Sequence, residues 1–219
     1  MGTDSKNPDN EEVDHCFRSV VGAVLLAFIL LSMKSLSDLL HDFNTPSDIS
    51  TILDSLHSLL LIPEGTEVPI YPFHKSFPDF LMDPERCQDA QFYVDPQIHH
   101  TKILLSCLHL MGEKLQRNIC NLDDNPVLNS VDDLIAHRKE HIRDALEYAC
   151  KFWTKHLVMS PSSGPDAEEV EKAIDKFFTT HLLFWIEVLI IMENLDISVH
   201  SINDIQEWYS LVSCRHIGY

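Results

Sequence analysis

At 219 residues, with 45% hydrophobic content and a formal net charge of −18, the chain is long enough for one good-sized domain or two small ones and apolar enough for a folded core. That charge repels nucleic acid and anionic membrane surfaces unless basic side chains cluster, and from Ser35 to His74 there is no Lys or Arg at all. Six cysteines, at 16, 87, 107, 120, 150 and 214, make no C-x-x-C pair, which predicts buried reduced thiols and a reducing, cytoplasmic setting.

Residues 1–12 include Asp4, Asp9, Glu11 and Glu12 and are predicted to form an acidic disordered tail. Residues 19–33 hold no charge and contain the run from Val24 to Leu31, so a membrane span competes there with a buried first helix. Fifteen residues fall short of the roughly twenty that cross hydrocarbon, and the acidic flank is wrong for a secretory signal. A buried helix with no membrane contact is expected, with a membrane anchor as the alternative.

Ser32 followed by Leu36, Leu39 and Leu40 predicts a short helix. Thr45-Pro46-Ser47-Asp48 is a helix-start signature: Thr at the N-cap, Pro at the first helical position and an acid at the third. Ile49, Ile52, Leu53, Leu56, Leu59 and Leu60 then recur at helical spacing, predicting a helix over 46–60 with one apolar face. Residues 59–62 and 68–71 read as two short strands around the five-residue loop 63–67. His74 falls where the second strand ends, just before the Phe-rich helix start Ser76-Phe77-Pro78-Asp79-Phe80-Leu81. Helices followed by a hairpin are the outline of a winged helix over 13–82, with 83–96 as a linker.

Residues 97–219 are expected to be a helical arm, so the chain as a whole is mainly α. Leu104, Leu108, Met111, Leu115 and Ile119 form one apolar stripe, and Ile142, Leu146, Ala149, Trp153 and Leu157 repeat its spacing. Asn121 to Pro126 reads as a loop, Ser130 with Asp133 opens a short helix, and 159–165 is a connection. A last long helix follows, with Val170, Ile174, Phe177, His181, Phe184, Val188 and Ile191 on one stripe and further apolar residues on its other sides. A helix apolar all round is a core helix or a covered interface. Phe178, Leu182, Trp185 and Leu189 are the residues such an interface would use. The segments 152–157 and 177–182 share four of six residues, and His156 and His181 within them read as core-edge residues.

Catalytic patterns are missing. No G-x-x-x-x-G-K-[ST] loop, whose backbone N–H groups would cradle phosphate, can be built from glycines at 2, 22, 65, 112, 164 and 218. No G-x-S-x-G elbow occurs. His137 and His141 lie one helical turn apart and His99-His100 could add a ligand, but Arg138 stands where H-E-x-x-H needs Glu, so exposed surface histidines are expected. No metal and no enzymatic activity are expected.

The segment from Phe17 to Leu81, with Leu56-His57-Ser58-Leu59-Leu60 and Phe73-His74-Lys75-Ser76-Phe77-Pro78-Asp79-Phe80-Leu81, resembles the winged-helix region of fungal NACHT-domain proteins, relatives of NOD-like receptors. Downstream, Asp83-Pro84-Glu85-Arg86-Cys87, Phe92-Tyr93-Val94-Asp95-Pro96, His99-His100, Asn118-Ile119-Cys120-Asn121-Leu122, Ala145 to Cys150 and His181 to Leu189 resemble helical segments of the same proteins. The resemblance spans roughly residues 13–215.

It implies the regulatory portion of a signal-transducing NTPase, lying between a nucleotide-binding module and a repeat sensor, both absent from this chain. It also implies that His74 is a latch that reaches the β-phosphate of ADP held by a NACHT module. ADP or ATP would bind only with such a module, and no cofactor is expected in isolation. The residues alone leave a second reading of His74 open, as a strand-end or backbone cap. The partner would be the NTPase module or sensor in cis. The alternatives are a stand-alone interaction module acting in trans through 177–192 and, against the charge, a winged-helix nucleic-acid binder.

Overall fold

The computed structural model describes residues 8–41, 45–122 and 131–216. The described residues are mainly helical, with one small antiparallel sheet. Two compact units divide the chain, one up to His99 and one from His100.

In the first unit α1 (Pro8–Leu26) buries Val20, Val21, Ala23 and Val24. The helix already covers residues 8–12, which were expected to be disordered; residues 1–7 lie outside the described residues. The apolar run outlasts it, and Phe28, Ile29 and Leu30 form an exposed turn-like stretch. No helix among the described residues is long and apolar enough to cross a membrane. Ser32 caps α2 (Met33–Leu39), its Oγ accepting the Ser35 N–H at 3.1 Å, and Leu36 and Leu39 face inward.

Thr45 opens α3 (Pro46–Ser55) with a reciprocal capping box: its side chain accepts the Asp48 N–H while the Asp48 carboxylate accepts the Thr45 N–H at 3.0 Å. The Thr45 hydroxyl bond, and then the backbone bond, hold the Asp48 carboxyl below its ordinary range. The helix stops at Ser55, short of the expected Leu60. Leu60 is fully buried as a strand residue opposite Pro72, although its N–H still donates to the Leu56 carbonyl at 2.8 Å in the turn that follows the helix.

Strand β1 (Leu60–Leu61) pairs with β2 (Tyr71–Pro72), Leu60 opposite Pro72 and Leu61 opposite Tyr71. These strands are shorter than expected, since Pro63, Pro69 and Pro72 have no N–H to give a ladder. On the other side of the same run, Ile70 N–H donates to the Leu31 carbonyl at 2.9 Å and Ser32 bridges Pro69. Residues 69–72 therefore lie between 31–32 and 60–61, as alternating N–H directions along a strand allow.

After β2 comes the short α4 (Ser76–Leu81). Residues 83–96, read from sequence as a linker, fold onto this unit: Cys87 and Val94 are buried, Arg18 donates to the Ala90 carbonyl at 2.8 Å, and Phe17 meets Phe92 edge to face. Helix α5 (Pro96–Lys114) starts under the Asp95 carboxylate, which accepts the Gln97 N–H at 2.9 Å.

The second unit contains the remaining residues of α5, then α6 (Val131–His141), α7 (Asp144–Met159), α8 (Pro165–Thr180), α9 (Leu182–Ile191) and α10 (Asp196–His216). All five residues of each expected stripe, Leu104 to Ile119 and Ile142 to Leu157, are buried. The first stripe outruns its helix: α5 ends at Lys114, and Asn118, at φ 52°, turns the chain while its side-chain amide clamps both backbone groups of Leu122. Residues 123–126 of the expected loop, and Ser130, lie outside the described residues.

The expected last long helix is two helices. His181 breaks it with φ −124° and ψ −7°, and Glu193, at φ 58°, closes α9 through Asn194 N–H to the Leu189 carbonyl. α10, which periodicity had not singled out, packs on α7, where Thr154 and Ser201 hydroxyls meet at 3.0 Å. Trp153, Phe177 and Trp185 form the aromatic centre, with Trp185 Nε1 donating to the Cys150 carbonyl at 2.9 Å. Cys87, Cys107, Cys120 and Cys150 are buried thiols, and burial pushes the pKa of each upward.

Candidate functional site

His74 lies between β2 and α4 and is exposed to solvent. Its Nδ1 faces both donors of Ser76, the backbone N–H at 3.1 Å and the hydroxyl at 2.8 Å. A nitrogen that receives an amide hydrogen holds the lone pair, so the neutral ring carries its hydrogen on Nε2. The ring thus serves the open end of α4 with one nitrogen and keeps a donor on the other. Both sequence-level roles, cap and outward donor, are chemically compatible in this one side chain.

Beside α4, Phe17, Leu56, Leu59, Phe77, Phe80 and Leu81 line an open cavity of about 670 Å³. Arg86 lies over the Phe80 ring, 5.8 Å from its centroid. Sequence reading missed this cavity. Phe77, Phe80 and Leu81 come from α4, Leu56 and Leu59 from the turn after α3 and Phe17 from α1, segments that spacing alone does not bring together.

The four residues expected to form an interaction surface differ in exposure. Trp185 and Leu189 are buried in the second unit, Trp185 because its ring completes the aromatic centre, whereas Phe178 and Leu182 are half-buried. The exposed apolar side of α9 is instead carried by Leu183, 76% exposed, and Ile190, 56% exposed, seven residues apart and so on one face.

His156 is fully buried rather than at the core edge. Its Nδ1 is 2.7 Å from Nδ1 of His100, and its Nε2 is 2.7 Å from the Tyr148 hydroxyl. Burial, and then the neighbouring His100, pull its pKa down to about 3, so it is neutral near pH 7. One proton order runs through the chain: whichever histidine donates between the two Nδ1 atoms fixes whether Tyr148 donates or accepts. His181, half-buried at the break between α8 and α9, stacks on Phe177 and bonds Thr180 Oγ1 at 2.5 Å.

His137 and His141 are half-buried, not exposed as expected, with their rings stacked at 10° and centroids 6.1 Å apart. Glu140 joins them, and one ligand atom from each of the three lies within 4.8 Å of the others. His99 and His100 are engaged separately, His99 Nδ1 with the Asp95 carbonyl at 2.8 Å. Arg138 and Lys151 flank Glu147 at 3.4 and 2.5 Å. Burial alone would raise the Glu147 pKa, but the Lys151 bond and the two cationic charges outweigh it and hold the carboxyl below its ordinary range.

Over 220 aligned residues the chain is 26% identical to Vegetative incompatibility protein HET-E-1 of Podospora anserina, covering 90% of this chain and 15% of that protein. The chain therefore spans about a seventh of the length of the curated relative it matches. No family model and no solved structure matches. The similarity accords with the fungal NACHT-type resemblance carried by the motifs.

Proposed function

We propose that this chain is a non-catalytic regulatory portion of a NACHT-type signal-transducing NTPase, in which residues 13–82 form a winged helix and His74 reports the nucleotide state of the module it meets. The order α1, α2, α3, β1, β2, with residues 31–32 paired to the far side of 69–72, supports the winged-helix reading. The observation that carries the function is the state of His74: its Nδ1 is used by Ser76, which leaves the hydrogen on Nε2, and the residue lies on an exposed loop. An imidazole N–H to a phosphate oxygen is a charge-assisted bond of about 1.5–3 kcal/mol. Such a bond favours a closed arrangement only by the difference in affinity between the two nucleotide states. The similarity to part of HET-E-1 supports a NACHT-related setting for it.

Sedimentation of this chain with a NACHT NTPase module tests the reading. Association should be tighter with ADP than with ATP, and equal association in both states would end it. Leu183 and Ile190 favour a second reading, a stand-alone module that binds another NACHT protein in trans through α9. In that case association is independent of nucleotide and is lost on Leu183→Asp with Ile190→Asp. Duplex binding is not expected on either reading, because the segment 35–74 offers phosphates no cationic side chain.

A further inference from the structure

We infer that His137, Glu140 and His141, at the C-terminal end of α6, form a binding site for one divalent transition-metal ion of the imidazole-preferring class. Residues three and four apart share a helix face, so the two rings and the carboxylate project to one side. Their ligand atoms already lie within 4.8 Å of one another. Donors around a tetrahedral zinc, with arms of about 2.0–2.1 Å, are ~3.4 Å apart, so modest side-chain rotation, chiefly of the exposed Glu140, closes the set. The stacked rings place both imidazoles side by side on that face, and rotation about their side-chain torsions out of the stack brings their in-plane lone pairs to one ion.

Two further observations favour a cation here. The buried Nδ1 of His137 has no hydrogen-bond partner among the described residues, so the ring is not committed at both nitrogens to the fold. The site also lies in the last turn of α6, where unsatisfied carbonyls present the negative end of the helix dipole. The sequence objection, an Arg-Lys pair between the histidines, loses force in the structure. Arg138 is engaged by Glu147 at 3.4 Å, and residues one and two positions on from His137 leave its face. Two imidazoles and one carboxylate match zinc, copper or nickel better than magnesium or calcium, which prefer all-oxygen sets. With three protein ligands, water completes the coordination. The ion would tie the end of α6 into one closed turn next to the buried Ile142 that leads into α7.

Zinc titration of the full chelator-treated chain, read by competition with a chromophoric chelator, tests this, together with hydrogen exchange over 134–141. One Zn²⁺ per chain should bind and slow exchange in that segment, with excess Mg²⁺ unable to compete. Affinity should fall at least tenfold in His141→Ala and in His137→Ala, and by a smaller factor in Glu140→Gln, whose exposed position leaves folding intact. Unchanged affinity in both histidine variants would assign the ion to other histidines and overturn the site. Absence of saturable binding, or binding with no added protection of 134–141, would overturn it equally.

Discussion

His74 and His156 are the same side chain put to opposite uses. His74 stands in solvent on the loop between β2 and α4, held by one contact two residues away, whereas His156 is sealed inside the second unit with both nitrogens engaged by residues from other turns and helices. Burial makes the second histidine part of the stability of the unit. Exposure leaves the first nearly irrelevant to stability and available to a partner. Residues that serve function and residues that serve folding can therefore be separated by substitution.

The largest expected effect falls on His156. His156→Ala removes a ring from a close-packed site and takes one hydrogen bond each from Tyr148 and His100, so unfolding by denaturant should show a loss of about 3 kcal/mol. Acid sharpens the same contrast. His156 has a native pKa of about 3, against an ordinary 6.5 in the unfolded chain, so between those values the unfolded state binds the extra proton. Its contribution is complete above pH 6.5 and is lost as pH falls through that window, by roughly 1.4 kcal/mol per pH unit. The difference in acid sensitivity between the wild type and His156→Phe, measured by thermal unfolding from pH 7 to 4, should show that slope; parallel curves would place the proton elsewhere.

A smaller loss is expected in the first unit. A Cβ at Gly22 would sit 2.2 Å from His99 Cδ2, so Gly22→Ala should cost about 1–3 kcal/mol by forcing the ring off α1. Full stability in that variant, seen as an unchanged denaturant midpoint, would mean that His99 can move without cost. The smallest effect belongs to His74→Ala, expected to change unfolding free energy by less than about 0.5 kcal/mol, as for an exposed residue whose side-chain bonds among the described residues are to Ser76.

Much of this contrast can be read in the sequence, but not all of it. The two five-residue stripes, the short helix after Ser32 and the Thr45-Pro46-Ser47-Asp48 start follow from local chemistry and spacing, and the structure has them where expected. Helix ends are less legible. Periodicity runs past Ser55 and Lys114 because Leu60, Leu115 and Ile119 are buried by tertiary packing in non-helical backbone, and apolar spacing cannot register that change. The break at His181 and the left-handed Glu193 carry no Gly or Pro to announce them. The His100–His156 contact joins residues 56 apart, which spacing alone cannot pair. His74 was legible as a strand-end histidine; that Ser76 occupies its Nδ1 and so leaves the ring hydrogen on Nε2 could be seen only in the structure.

The most direct test of the proposed latch is ADP affinity of a reconstituted assembly of a NACHT NTPase module with this chain, compared between wild type and His74→Ala. Loss of one charge-assisted bond of about 1.5–3 kcal/mol predicts ADP binding weakened by roughly tenfold to a hundredfold, with the stability of this chain unchanged. Equal ADP affinity in the two assemblies would contradict the latch.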